Sequence, residues 1–234
     1  MEVYVLHDAQ AVAGIAGVDA PACEGLALSV SDPSRVLFPF VGGNPLGTDW
    51  LIDLDLPGTR IVSWSGTLAD GEDLFAAHPH NWMSPGSDAL DRLLDELLPQ
   101  FEQAERTLCL VPHARHVLSD VQSTINLARA HAGGALEIAL APGCFLTPSM
   151  LDTLEDHLER SFSTLSEAAS FLLIEDLALS EDGENLMPTM FGEGVLDLDL
   201  LHEAMRRHWN PDKPVVIRSG NITEQLAWIR GSQS

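Results

Sequence analysis

The sequence predicts an α/β fold: a compressed (β/α)8 TIM barrel in a single domain covering residues 1–234. Three observations predict it. Eight short apolar, strand-like runs are spread along the chain, the number that closes such a barrel. After residue 58 these runs alternate with stretches whose apolar residues recur at helical spacing, and buried strands alternating with helices imply a parallel sheet with helices outside. No Gly-x-Gly-x-x-Gly or Gly-x-x-x-x-Gly-Lys loop follows any strand-like run, so the alternative of an open, doubly wound sheet has no phosphate fingerprint behind it.

The first 58 residues are the irregular part. Glu2-Val-Tyr-Val-Leu6, Gly25-Leu-Ala-Leu-Ser-Val30 and Val36-Leu-Phe-Pro-Phe40 have strand character, and the helices between them are expected to be short, around Ala11 to Ala16 and Asp49 to Leu54. From residue 59 to 234 the units are better formed. Arg60-Ile-Val-Ser-Trp-Ser-Gly66 is a β-type run closed by glycine. Ser84-Pro85 offers an N-cap and a first-turn proline to a helix carrying Leu90, Leu94, Leu97 and Phe101, with a kink expected at Pro99. Thr107-Leu-Cys-Leu-Val111 is the next strand. Ser119-x-x-Gln122 has the form of a capping box, and its helix stops at Gly133-Gly134. Ala135 to Ala141 and Ser170 to Ile174 are strands, separated by a helix that Thr147-Pro148 opens. A long polar loop follows, then a helix from Leu198 to Trp209, a strand Pro214-Val-Val-Ile217, and a last short helix capped by Asn221-x-x-Glu224.

Composition narrows the function classes. Twelve Lys and Arg stand against 35 Asp and Glu, a net charge of −23, and Lys213 is the only lysine. Binding nucleic acid or an anionic membrane surface requires a basic face to neutralise phosphate, so neither partner is expected. No uncharged apolar run approaches the ~20 residues of a membrane-spanning helix. Cys23, Cys109 and Cys144 are odd in number and far apart, and Met-Glu-Val-Tyr-Val-Leu-His7 has neither a basic leader nor a small-residue cleavage site. A cytoplasmic protein with reduced thiols is the expectation.

From about Arg60 to Ile229 the chain resembles the xylose isomerase-like TIM barrels of the sugar phosphate isomerase/epimerase group. The pieces that carry the resemblance are Trp64-Ser-Gly66, His78-Pro-His-Asn-Trp82, Leu110-Val-Pro-His113, Leu140-Ala-Pro-Gly143, Ile174-Glu-Asp176, Gly192-Glu-Gly-Val-Leu-Asp197 and Pro214-Val-Val-Ile-Arg218, in that order. The resemblance implies a divalent metal at the carboxyl ends of the strands, held by carboxylates and imidazole, which are hard or borderline donors suited to it. The positions that align with those ligands are Val111, Ala141, Leu173 and Arg218. Three hydrocarbons donate nothing to a cation, and a guanidinium brings a fixed positive charge. The expectation is therefore a barrel of this kind without the metal and without any other cofactor.

What remains for chemistry is a scattered set. His113 and Glu193 are the candidate proton-moving residues. Arg218 is the candidate anion ligand, because its planar fork makes two charge-assisted hydrogen bonds to one carboxylate or phosphate. Asp176 is expected to act as a cap or to pair with Arg218. Trp64 and Trp82 are candidates to stack on a sugar or to fill the barrel top, and His80 and His7 to reach the mouth. His78-x-His80 and His113-x-x-His116 have spacings that bind transition metals, though loop histidines without a fixed acid seldom do. Two functions follow: a metal-independent or degenerate barrel that binds a small anionic or polyhydroxy molecule, or a metal-independent isomerase, epimerase or lyase on an anionic sugar-like substrate using Arg218 with His113 or Glu193. A homodimer is expected as the way to cover barrel wall left bare by weak early helices.

Overall fold

In the computed structural model, which describes residues 1–12, 23–71 and 73–231, side-chain alternation sorts each strand into an inner and an outer face. The barrel strands are β1 (Val3–Asp8), β2 (Gly25–Ser29), β3 (Val36–Val41), β4 (Arg60–Trp64), β5 (Thr107–Val111), β6 (Leu136–Ile138), β7 (Leu172–Ile174) and, after a separate hairpin of β8 (Asp176–Leu179) and β9 (Leu186–Thr189), β10 (Val215–Arg218). They lie in the order β6-β5-β4-β3-β2-β1-β10-β7. The two ends meet through a parallel bridge between Leu140 and Leu172. There the Leu140 N–H donates to Phe171 O at 3.0 Å and the Leu173 N–H to Leu140 O at 2.8 Å, closing the barrel.

All eight strands fall where the sequence places them, but one runs backwards. β2 pairs antiparallel with both β1 and β3, whereas the other neighbours are parallel. The cause is the link to β3, residues 30–35: a parallel return needs a crossover of about a dozen residues or more, and so short a link permits only a hairpin. Reversal brings the amino end of β2 to the mouth, where Gly25 sits opposite Asp8 and Phe40.

Two cores follow from the alternation. Inside the barrel, Tyr4, Ala27, Phe38, Val62, Cys109, Ala139, Phe171 and Val216 pack together. At its lower end, Arg60 pairs with Glu137 at 2.5 Å. Outside, strand residues such as Leu108, Ile138 and Ile217 meet the helices. Helix α1 (Ala9–Val12) is followed by α2 (Ser84–Gln103), which buries Leu90, Leu94, Leu97 and Phe101 along one stripe. Each such side chain contributes roughly 1.5–3 kcal/mol by leaving water. α3 (Val121–Ala130), α4 (Leu154–Leu165), α5 (Leu198–His208) and α6 (Ile222–Ile229) complete the wall.

Several helix ends differ from expectation. α3 is capped by Asp120, whose Oδ1 accepts from the Gln122 and Ser123 N–H groups, and not by Ser119. A carboxylate there also meets the positive end of the helix. α2 starts at Ser84 with Met83 in the cap position and no side-chain cap. Asn221 precedes α6 in a left-handed conformation, and its side chain donates to Phe191 O instead of capping. No helix forms over Asp49–Leu54, a segment of turns and irregular chain. The helix expected at Ala11–Ala16 is described only as far as Val12; the remainder lies outside the described residues. No described helix is long and apolar enough to cross a membrane.

Candidate functional site at the barrel mouth

The mouth is built by extending the inward-facing register of each strand by one step. Leu173 and Val216 face inward, and the pairing of Ile217 with Ile174 sets Arg218 beside Glu175. The Glu175 side chain is 1% exposed and Arg218's is 36% exposed. Arg218 donates from Nη2 to Glu175 Oε1 at 3.3 Å and from Nε to Oε2 at 3.4 Å, a forked pair. Beside it, the Arg218 guanidinium is held in its charged form chiefly by the Glu175 carboxylate, against the opposing effect of burial. The partner of Arg218 is therefore Glu175, and the pairing expected from Asp176 does not form.

Asp176 has a different task. Nearly buried, it accepts the Leu177 N–H at 2.8 Å on Oδ1 and the Gly192 and Gly194 N–H groups at 3.0 Å on Oδ2. Any side chain at position 194 would strike this carboxylate, so the close approach requires glycine. The loop is thus tied to the start of the β8–β9 hairpin. Glu193, between the two glycines, is exposed and lies outside the mouth cavity.

Above the pair is a cavity of about 600 Å³, within the usual size range of small-molecule sites. Phe40, Trp64, Phe75 and Leu177 supply apolar wall; Asp8, Glu24, Glu175, Arg218, His7 and His113 supply polar groups. The hairpin roofs one side through Leu186, Met187 and Pro188, and Arg115 pins its tip by donating to Asn185 Oδ1 at 3.1 Å and Glu184 O at 3.0 Å. A wider, more open hollow of about 1270 Å³ adjoins the cavity and shares Asp8 and Glu24 with it.

His113 and His116 stand in an aromatic nest with Trp64 and Phe75; the Phe75 and His116 rings stack with their planes 8° apart. Burial lowers both imidazoles, His113 to about 4 and His116 to about 3. His113 Nδ1 accepts the Arg115 backbone N–H at 3.1 Å, so the proton of the neutral ring is on Nε2. The other ring nitrogen of His113, a cavity-lining residue, is therefore an N–H donor and not the lone pair of a base. His116 Nε2 donates to Leu74 O at 3.2 Å, holding the loop that carries Phe75, while its Nδ1 is buried without a partner.

The other sequence candidates divide. Trp64 lines the cavity with edge contacts to Phe40 and Phe75, and His7 lines it as a half-buried imidazole that burial keeps toward the neutral form. Trp82 is 52% exposed and outside the cavity, its indole N–H donating to Ala114 O. His80 is exposed and packs edge-on against His78, also away from the mouth. The residue of that segment with most work is Asn81, which joins Leu68, Thr67 and Arg115 through three hydrogen bonds of 2.6–2.7 Å.

Val111, Ala141 and Leu173 are buried in the inner core at the mouth end, and Arg218 completes the set. These side chains do not fit a divalent cation. Among the described residues, no three His, Cys, Asp or Glu side chains converge so as to hold a metal ion. Glu175 and Glu24 were not singled out from sequence. The available signal for Glu175 was its parity with inward Leu173; for Glu24 it required the reversed strand.

No family model and no curated protein matches the chain. Solved structures do. 3-Keto-D-glucoside 4-epimerase YcjR from E. coli, in its apo form, is 16% identical with a TM-score of 0.47, over 73% of this chain and 63% of that one. D-psicose 3-epimerase in the presence of D-fructose is 12% identical with a TM-score of 0.46, over 75% and 57%. A xylose isomerase-like TIM barrel protein from Mycobacterium smegmatis in complex with magnesium is 10% identical with a TM-score of 0.43, over 75% and 62%. The chain thus spans less than two thirds of the length of these three structures, and likeness at this level speaks to fold alone. The closed strand order makes this chain an eight-stranded α/β barrel of the TIM type, similar in structure to the xylose isomerase-like TIM barrel proteins.

Proposed function

We propose that the barrel mouth binds a small polyhydroxy or anionic molecule of the sugar type, without a divalent metal at residues 111, 141, 173 and 218. The observation that carries this reading is the Glu175–Arg218 pair set in a cavity with apolar aromatic walls. A few convergent polar groups in a largely apolar concavity are what small-molecule sites require. Catalysis through Glu193 is not favoured, since that side chain lies outside the cavity, and His113 presents a proton where a base would need a lone pair. The reading is of a cytoplasmic protein, supported by three unpaired cysteines, two of them buried.

Calorimetric titration of free sugars, sugar acids and sugar phosphates tests it, comparing the wild type with Glu175→Leu/Arg218→Leu. Removing both charges together leaves no uncompensated ion in the core. Binding by the wild type and its loss in the double variant is the expected result. Equal binding by both proteins, or near-stoichiometric manganese, zinc or cobalt in the purified protein, would overturn the reading.

A further inference from the structure

We infer that the mouth selects neutral polyhydroxy molecules and rejects their anionic counterparts. This rests on the binding reading above and narrows its ligand class. The lining carries three carboxylates, Asp8, Glu24 and Glu175, against the single guanidinium of Arg218. An incoming phosphate or carboxylate would find its one cation already paired and two further negative charges at the rim.

The rim charges are built in. The Glu24 carboxylate occupies the space that a side chain at Gly42 would fill, and the antiparallel course of β2 is what carries Glu24 to this end of the barrel. Asp8 Oδ1 accepts the Gln10 N–H at 2.8 Å, fixing that carboxylate at the end of β1. No imidazole offsets them, because burial holds His7 and His113 toward their neutral forms. The next arginine, Arg115, is directed onto Asn185 and the Glu184 carbonyl.

The remaining hydrogen-bonding capacity suits hydroxyl groups. Arg218 has five N–H donors, of which the Glu175 fork engages two. Three are left, with the His113 Nε2 proton as a fourth donor nearby, and the carboxylates supply acceptors. A hydroxyl both donates and accepts, so it can use both kinds of group, whereas a carboxylate or fully ionised phosphate group can only accept. Trp64 and Phe75 give the apolar C–H face of a sugar ring a surface to pack on.

The test titrates matched pairs by calorimetry at low salt: neutral hexoses and pentoses against the uronate and the 6- or 5-phosphate of the same sugar. For any sugar that binds, the neutral member should bind at least about tenfold more tightly than its anions. In Asp8→Asn/Glu24→Gln the gap should narrow to about threefold or less. Anions that bind as tightly as the neutral sugars would overturn this selectivity while leaving the binding reading standing. A gap unchanged in the double variant would also overturn it. If no sugar of either class binds, the binding reading fails and this inference with it.

Discussion

Replacing Arg218 by leucine should destabilise the protein by about 3 kcal/mol. The Glu175 side chain is 1% exposed, and the substitution leaves its carboxylate without its counterion. Breaking a buried pair from one side costs about 3–5 kcal/mol. The lower end applies here, because Arg218 is 36% exposed and the contacts are 3.3 and 3.4 Å long, so solvent already screens part of the interaction. For a chain of this size each kcal/mol moves the melting temperature by about 2–4 °C, so Arg218→Leu should melt about 6–12 °C below wild type. Glu175→Leu/Arg218→Leu should regain most of that loss, since an apolar pair of similar volume replaces the ion pair at little net cost. Differential scanning calorimetry and urea unfolding at pH 8 measure both. Arg218→Leu melting within about 2 °C of wild type would refute the reasoning, as would a double variant no more stable than the single one.

Other expectations concern the supports around the site. His113 and His116 have folded-state values lowered to about 4 and about 3, so the unfolded chain takes up protons first. Stability should be flat above about pH 6.5 and fall as pH drops toward 4; in His116→Phe the fall should be shallower, at a cost of about 1 kcal/mol at pH 8 for the lost bond to Leu74 O, and equal slopes in urea midpoints would count against it. Asp176→Ala should cost about 2 kcal/mol and open residues 190–196 to limited proteolysis; Gly194→Ala should produce the same cleavage, and an unchanged digest for both would remove Asp176 as the loop's anchor. Lys213 Nζ donates to the carbonyls of Ser166, Glu167 and Ala169 at 2.6–2.9 Å just beyond the end of α4, where a cation also meets the negative end of the helix. Lys213→Met should lower stability by about 2 kcal/mol, and a urea midpoint equal to wild type would show that water replaces those bonds without loss.

The sequence by itself determined the number and place of the barrel strands and the helices that follow residue 58. That information is local: near-continuous apolar runs such as Arg60–Trp64 mark strands covered on both faces, and stripes such as Leu90, Leu94, Leu97 and Phe101 mark the packing face of a helix, whatever each packs against. The hydrocarbon character of Val111, Ala141 and Leu173 was legible for the same reason. Strand direction was not, because an apolar run reads alike from either end; the short link of residues 30–35 held the clue that β2 turns back. Nor could sequence decide between the adjacent acids Glu175 and Asp176. One faces the barrel axis and pairs with Arg218, and the other faces the loop and binds the backbone of Gly192 and Gly194, a division set by the register of β7 against β10. Glu193, His80 and Trp82 sit in motifs near the mouth along the chain yet lie outside it in space. Only tertiary structure settles such cases, because register and strand direction arise from pairing between segments tens of residues apart, and a side chain's neighbours across a barrel are chosen by that pairing and not by its own position in the chain.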